Sequence, residues 1–477
     1  MKFYYLIAII TLTIFGCKDD VKKTEDNFTY IGGEIINPIN DVVILFYSDE
    51  AIDTLKLNSK NRFLYKFEDF KTGLYSFSLQ SSIGLEYQTV LLEPNDSIIF
   101  RLNTTDFDES LVYTGIGAKK NNYFINEFLQ NEVDEKIVYK YCSLNPEDFE
   151  NKIDSLKSMK YKKLNSFKDK YKVSDLFDKV AKDKIDISYY NSKEIYPITH
   201  FRYNKNNILK TIPGDFYNYR KTVNYNDEFL KNDYNYIRFL RNSFNNQAIK
   251  THIEHSQDER FNRRSLCYNL DRLVLIDSLI SNSKAKESLM HYYTINYLTK
   301  SKDIENNQAI LNFYLNKSTN TKNKEFVSSY VASINNLKAG DRLPNVAVLN
   351  YDEDVLNINA LITSSTVISF WSNKHYDHFK ESHYKIKELK IKYPEVKFIA
   401  INVDECGLKS LEKSLKANHF AFKNEYQFKD PEYSIKALAI RPMTKTIIID
   451  KYKRIVNSNT NIFSLNFEEQ LLGLINR

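Results

Sequence analysis

Three of the eight histidines, His375, His378 and His383, fall within nine residues of one another. They lie in Val367-Ile368-Ser369-Phe370-Trp371-Ser372-Asn373-Lys374-His375-Tyr376-Asp377-His378 and its continuation, which opens apolar and turns polar. Imidazoles beside a carboxylate such as Asp377 can bind a divalent metal or carry protons. At about 100° per residue along a helix, His383 stands well around from His378, so one helix offers at best two ligands. His375 and His378 are therefore the metal candidates, with ordinary polar residues at a helix start as the competing reading. Cys406, past the next apolar run, could act as a lone nucleophile with His375. Lacking a resolving thiol, it would need an external one.

A second pair sits in Thr251-His252-Ile253-Glu254-His255. Spacing of three on a helix could share a metal, but two ligands are not a site and Glu254 points elsewhere. The pair reads as part of a solvated helix face. The four cysteines are Cys17, Cys142, Cys267 and Cys406, no two of them close in sequence. With Cys17 set aside as a processing residue, three remain, which allows at most one disulfide and fits free, buried thiols. No cofactor-binding motif is read.

Positioning such groups requires folded domains, and the chain is long enough for two or three of them at 477 residues. Its 67 basic and 61 acidic residues are interspersed, and a net charge of +6 leaves no nucleic-acid footprint. The 35 tyrosines and 31 phenylalanines read as core and half-buried packing rather than a binding track.

Residues 1–17 carry Lys2, then an apolar run from Phe3 to Phe15 that is too short to span a bilayer stably. Residues 18–27 are polar and suit a tether. From Phe28 to Gly117, short alternating runs such as 42–47, 63–67, 74–79 and 97–102 predict an antiparallel β domain, with Gly32-Gly33 and Pro94-Asn95-Asp96 as turns. Residues 118–336 change to helical spacing: Asn145-Pro146-Glu147 is a helix start, and Leu266 to Ile280, Leu289 to Tyr297 and Phe326 to Ile334 mark further helices. Residues 337–477 alternate strand and helix. Strands are expected at 367–371, 396–403 and 446–450, with a partner at 454–456. Helices are expected at 375–392, 408–418, 431–438 and 467–475.

The strand ending in Phe370-Trp371 resembles the F-W-x-x-W-C-x-x-C junction of thioredoxin-like domains, and Gly340-Asp341-Arg342-Leu343-Pro344 resembles the lead-in of TlpA-type lipoproteins. The overall layout is similar to that of Bacteroidetes TlpA-type lipoproteins. The fold this implies is multidomain α+β: N-terminal antiparallel β domain, all-helical middle domain, C-terminal thioredoxin-like α/β domain. On that pattern His375 and His378 stand where the two redox cysteines would be. The family's cis-proline position falls on Thr444. Either a trans Thr444 or a loop shifted so that Pro442 serves is expected. Ile14-Phe15-Gly16-Cys17 resembles a lipobox with Cys17 lipidated, and Lys18-Asp19-Asp20 resembles the acidic tag of surface lipoproteins.

Imidazoles cannot form a disulfide, so the expected function is a redox-inactive, membrane-anchored envelope lipoprotein whose rim binds a peptide or protein. The expected rim is Trp371, Asn373, Lys374, His375 and Thr444. The expected place is the outer membrane, periplasmic or surface-exposed. Thiol–disulfide exchange through Cys406 is the alternative implied by the family, and a metal held by His375 and His378 is the other.

Overall fold

A computed structural model describes residues 28–48, 50–81, 84–204, 212–231, 233–256 and 261–476. The expected signal stretch, the lipidation site Cys17 and the tether to Asn27 lie outside the described residues. Two compact units are formed, one from residues up to 141 with 152–186, the other from 142–151 with 187–477. The helical stretch of residues 118–336 contributes to both units.

In the first unit the strands are β1 (Tyr30–Ile36), β2 (Val42–Tyr47), β3 (Glu50–Lys56), β4 (Arg62–Lys66), β5 (Gly73–Ser81), β6 (Gly84–Leu92), β7 (Ser97–Asn103) and β8 (Val112–Ile116). They make two four-stranded sheets, ordered β4-β1-β7-β8 and β3-β2-β5-β6. The expectation of a purely antiparallel domain fails at one place, because β1 and β7 pair in parallel. Alternation places Ile98, Phe100 and Leu102 of β7 in a core shared with Val43, Leu45 and Phe77. Gly32 and Gly33 are inside β1 rather than in a turn. A Cβ on Gly32 would stand 2.7 Å from the Phe63 carbonyl oxygen, and one on Gly33 would stand 2.9 Å from the Phe100 ring, so close packing selects glycine there.

The helix α1 (Ala118–Tyr141) finishes both sheets. Asn121 accepts from the Leu91 amide at 2.7 Å and donates to the Leu91 carbonyl at 3.0 Å. Its neighbour Asn122 does the same for Tyr113, at 2.9 and 2.7 Å. Two adjacent amides thus satisfy peptide groups of β6 and β8 at the sheet edges. Next come α2 (Pro146–Lys170), capped by Asn145 on the Asp148 amide, and α3 (Asp175–Asn204). In this unit their Leu164, Phe177, Ala181 and Ile185 pack with Tyr123 and Leu91.

The second unit continues with α4 (Tyr234–His255), α5 (Leu266–Leu279), α6 (Ser283–Leu298), α7 (Ile304–Lys317) and α8 (Thr321–Asn335). Each starts at a side chain that accepts from an early helix amide: Asp233, Ser265, Asn282, Asp303 and Asn320 in turn. Fully buried Glu194 ties the α3 end to this layer. It accepts from Tyr219 (2.6 Å), Arg220 through two nitrogens (2.8 and 2.6 Å) and Asn246 (2.7 Å).

The remainder is one sheet with its helices: β9 (Ala347–Leu349), β10 (Val355–Asn357), β11 (Thr366–Trp371), α9 (Tyr376–Lys392), β12 (Lys397–Asn402), α10 (Leu408–Ala417), β13 (Glu425–Phe428), α11 (Pro431–Ala437), β14 (Thr446–Ile449), β15 (Ile455–Thr460) and α12 (Phe467–Ile475). The strand order is β10-β9-β13-β12-β11-β14-β15. The central strands β11, β12 and β13 are parallel, and β9 and β14 flank them antiparallel. Every residue of β11 is buried, as a strand covered on both faces requires. Val367 and Trp371 share a core with Phe379, Ile386 and Leu389 of α9 and with Phe467, Leu471 and Leu474 of α12. The chain is thus mixed α+β. Among the described residues, no helix is long and apolar enough to cross a membrane.

The sheet and the helical layer of this unit touch beside β14 and along β15. Tyr330 of α8 donates to the Arg441 carbonyl at 3.4 Å, and the Arg441 guanidinium sits 5.5 Å over the Phe326 ring. Asn459 donates to the Thr299 carbonyl at 2.6 Å.

Candidate functional site

The carboxyl ends of β11 and β12 form the rim where side chains of an open sheet can act. Ser372 follows β11 and caps a short turn, Asn373–His375, by accepting from the Lys374 amide at 3.0 Å. The turn is then locked from the β12 side by Asp404, which accepts from the Ser372 hydroxyl at 2.5 Å and the Asn373 amide at 2.7 Å. Asp404 is itself held by Asn402, which accepts from its amide at 2.8 Å. From β13, Gln427 donates to the carbonyls of Asp404 (2.9 Å) and Cys406 (2.6 Å). The rim is a hydrogen-bonded frame rather than a loose loop.

On this frame Lys374 and His375 are exposed, while Asn373, His378 and Thr444 are half-buried. Trp371 is fully buried, so it supports the rim from below rather than forming part of it. Its ring lies 4.6 Å from that of Phe379. The cis peptide bond precedes Pro442, two residues ahead of Thr444. Because Thr446 pairs with Ser369 in antiparallel register, the segment before β14 runs alongside the end of β11. Lys445 in that segment is buried and donates to the carbonyls of Leu438 (2.8 Å) and Ala439 (3.0 Å). Burial lowers its ammonium to about 7.

The three rim histidines do not converge. His383 turns inward, its Nδ1 at 2.7 Å from the Phe379 carbonyl oxygen and its ring stacked on Phe420. A carbonyl only accepts, so Nδ1 carries the proton. His378 rests against Phe463, ring centres 6.2 Å apart. Burial, then His375 and His383, hold its imidazole below the ordinary value, which suits a neutral ring.

Cys406 is also less suited to chemistry than its position suggests. Burial raises its thiol, Asp404 adds to the effect, and Lys374 opposes it. A thiol kept protonated is a poor nucleophile. Cys142 is buried, with its thiol pushed up to about 12 by burial, and Cys267 is exposed on α5. None of the three described cysteines is in a disulfide.

One functional group escaped the sequence reading altogether. Glu425 starts β13, a four-residue strand that was not anticipated; the alternation in Glu425-Tyr426-Gln427-Phe428 before Asp430-Pro431 was the available signal. Its carboxylate is buried under the rim. It accepts from the Trp371 indole at 3.2 Å and lies 3.3 Å from His383 Nε2, off the line of a hydrogen bond. Burial raises this carboxyl, partly offset by His383. A raised folded value means the protonated form favours folding. That contribution is whole below the unfolded carboxyl value, about 4.3, and is lost as pH rises through the folded one. Glu425→Gln should therefore unfold at nearly the same temperature as wild type at low pH and gain on it as pH rises to neutrality. Calorimetry of both proteins at several pH values checks this, and parallel curves would show that the fold does not raise the Glu425 carboxyl.

No protein-family model and no curated protein matches the sequence. Solved structures similar to part of it include the thioredoxin domain of a thiol-disulfide oxidoreductase from Bacteroides vulgatus. That match is 14% identical, covers 29% of this chain and 97% of the other, and has a TM-score of 0.25. A thiol:disulfide interchange protein from Bacteroides sp. matches at 11% identity, over 30% of this chain and 93% of the other, with a TM-score of 0.25. A candidate thiol-disulfide oxidoreductase from Bacteroides vulgatus matches at 17% identity, over 29% and 97%, with a TM-score of 0.26.

Proposed function

We propose that the C-terminal sheet is a thioredoxin-like domain that no longer exchanges disulfides and uses its rim to bind a peptide or protein. The chain would carry it as a TlpA-type lipoprotein, anchored through Cys17 in the outer membrane of the cell envelope, facing the periplasm or the surface. The observation that carries this reading is the placement of His375 and His378 at the start of α9 on an intact frame. Disulfide exchange needs a thiolate there and a second thiol to resolve the mixed disulfide. The raised thiol of Cys406 argues against a substitute. A rim held by Asp404 and Gln427 is pre-organised for binding. Phe463 (41% exposed) lies against His378, and Tyr376 (50% exposed), the first residue of α9, packs on Phe379; both supply apolar contact area.

Insulin reduction driven by dithiothreitol tests the reading. Wild type and Cys406→Ala are expected to match the rate of dithiothreitol alone. Acceleration by wild type that Cys406→Ala loses would establish thiol chemistry and overturn the proposal. The binding arm is a pull-down from an envelope fraction, in which Tyr376→Ala should lose a partner that wild type retains.

A further inference from the structure

Away from the rim, α4 and α5 bring together four side chains of another character. His252 and His255 end α4, and Cys267 and Asp271 lie one turn apart on α5. One ligand atom from each can be chosen so that all four lie within 4.8 Å of one another. His252 is not on a solvated face, as its spacing had suggested. It is 1% exposed, with Nδ1 3.2 Å from an Asp271 carboxylate oxygen. His255 Nε2 is 3.0 Å from the same carboxylate, and its Nδ1 is 4.0 Å from the Cys267 sulfur. The sulfur lies 3.9 Å from Asp271 Oδ2.

We propose that His252, His255, Cys267 and Asp271 form a zinc site that clips the end of α4 to the start of α5. Two imidazoles, a thiolate and a carboxylate are a complete tetrahedral set for a borderline-soft cation, and they leave no position open, which marks a structural rather than a catalytic centre. Donor atoms 2.0–2.3 Å from zinc stand roughly 3.3–3.8 Å apart, so the observed spacings need only a small contraction. The scaffold is firm: Ala248 and Ile249 of α4 pack as one core with Tyr268 of α5, whose ring lies 6.1 Å from that of His252. Binding replaces the thiol proton by the metal, releases that proton to solvent, and changes no oxidation state. Without metal, Asp271 can serve as the shared acceptor of both imidazoles, and this plain histidine–carboxylate pairing is the competing outcome.

The test uses the full chain stripped of metal and titrated with zinc or cobalt(II). One equivalent should bind, raise the unfolding temperature and, with cobalt, give a sulfur-to-metal charge-transfer band and intense tetrahedral d–d bands. Cys267→Ser should abolish the charge-transfer band. His255→Ala should weaken binding more than about hundredfold, beyond the roughly 10–100-fold that loss of a supporting partner costs. Both residues are exposed, so these variants should fold, and circular dichroism confirms it. His375→Ala and His378→Ala should bind as wild type does. No saturable binding, or binding unchanged in Cys267→Ser and His255→Ala, overturns the proposal and leaves the histidine–carboxylate pairing alone.

Discussion

Glu194→Ala is expected to lower the unfolding free energy of the second unit by about 3–5 kcal/mol. The side chain is fully buried and its two oxygens collect four donors, two of them from one guanidinium. Removing it strands Arg220, whose side chain is only 15% exposed, and takes from the Tyr219 hydroxyl its 2.6 Å acceptor, while Asn246 keeps its bond to the backbone carbonyl of Glu194. A buried positive charge with no counter-ion is the larger part of that cost, because the desolvation of the ion is no longer offset. The double change Glu194→Met with Arg220→Met should therefore be less damaging than the single one. Urea unfolding of the three proteins decides the matter. A loss under about 1 kcal/mol in Glu194→Ala, within the range of an exposed pair, would show that water reaches the site.

The second large effect belongs to Trp371. Trp371→Ala should cost about 3–5 kcal/mol, the range for emptying a large buried aromatic site. Trp371→Phe keeps most of the packing on Phe379 but removes the indole donor to Glu425, leaving a smaller loss of about 1–3 kcal/mol. Since burial favours the protonated form of Glu425, the Phe variant should suffer less at low pH than at neutral pH. Thermal unfolding at both pH values measures the difference. Equal losses at the two values would mean that the indole bond does not depend on the charge of Glu425.

Where local signals dominated, sequence and structure agree closely. The strand expected at 367–371 is β11 (Thr366–Trp371), and the helices expected at 408–418 and 467–475 are α10 and α12, because apolar spacing is local: Leu411 and Leu415 of α10 and Phe467, Leu471 and Leu474 of α12 are the buried ones. What failed depended on partners distant in sequence. Gly32-Gly33 looked like a turn because nothing local reveals that Phe63 and Phe100 press on β1. Helical periodicity from 118 to 336 shows that a face is buried but not against what, so the division of α2 and α3 between two units was not legible. His252 and His255 looked solvated because Cys267 and Asp271 stand on a different helix, and only the packing of α4 on α5 unites them. Glu425 was missed because a four-residue strand carrying two polar side chains inward has no apolar run to announce it.

The grip of α8 on Arg441 bears on how partners should be sought. A fragment beginning at residue 337 would keep the sheet but lose the Tyr330 bond and the Phe326 ring that steady the segment leading into β14. The edge proposed to bind a partner would then be shaped by solvent instead of by a neighbouring helix. Bait made from that fragment would present a slacker surface than the native one, and the long chain is the proper reagent.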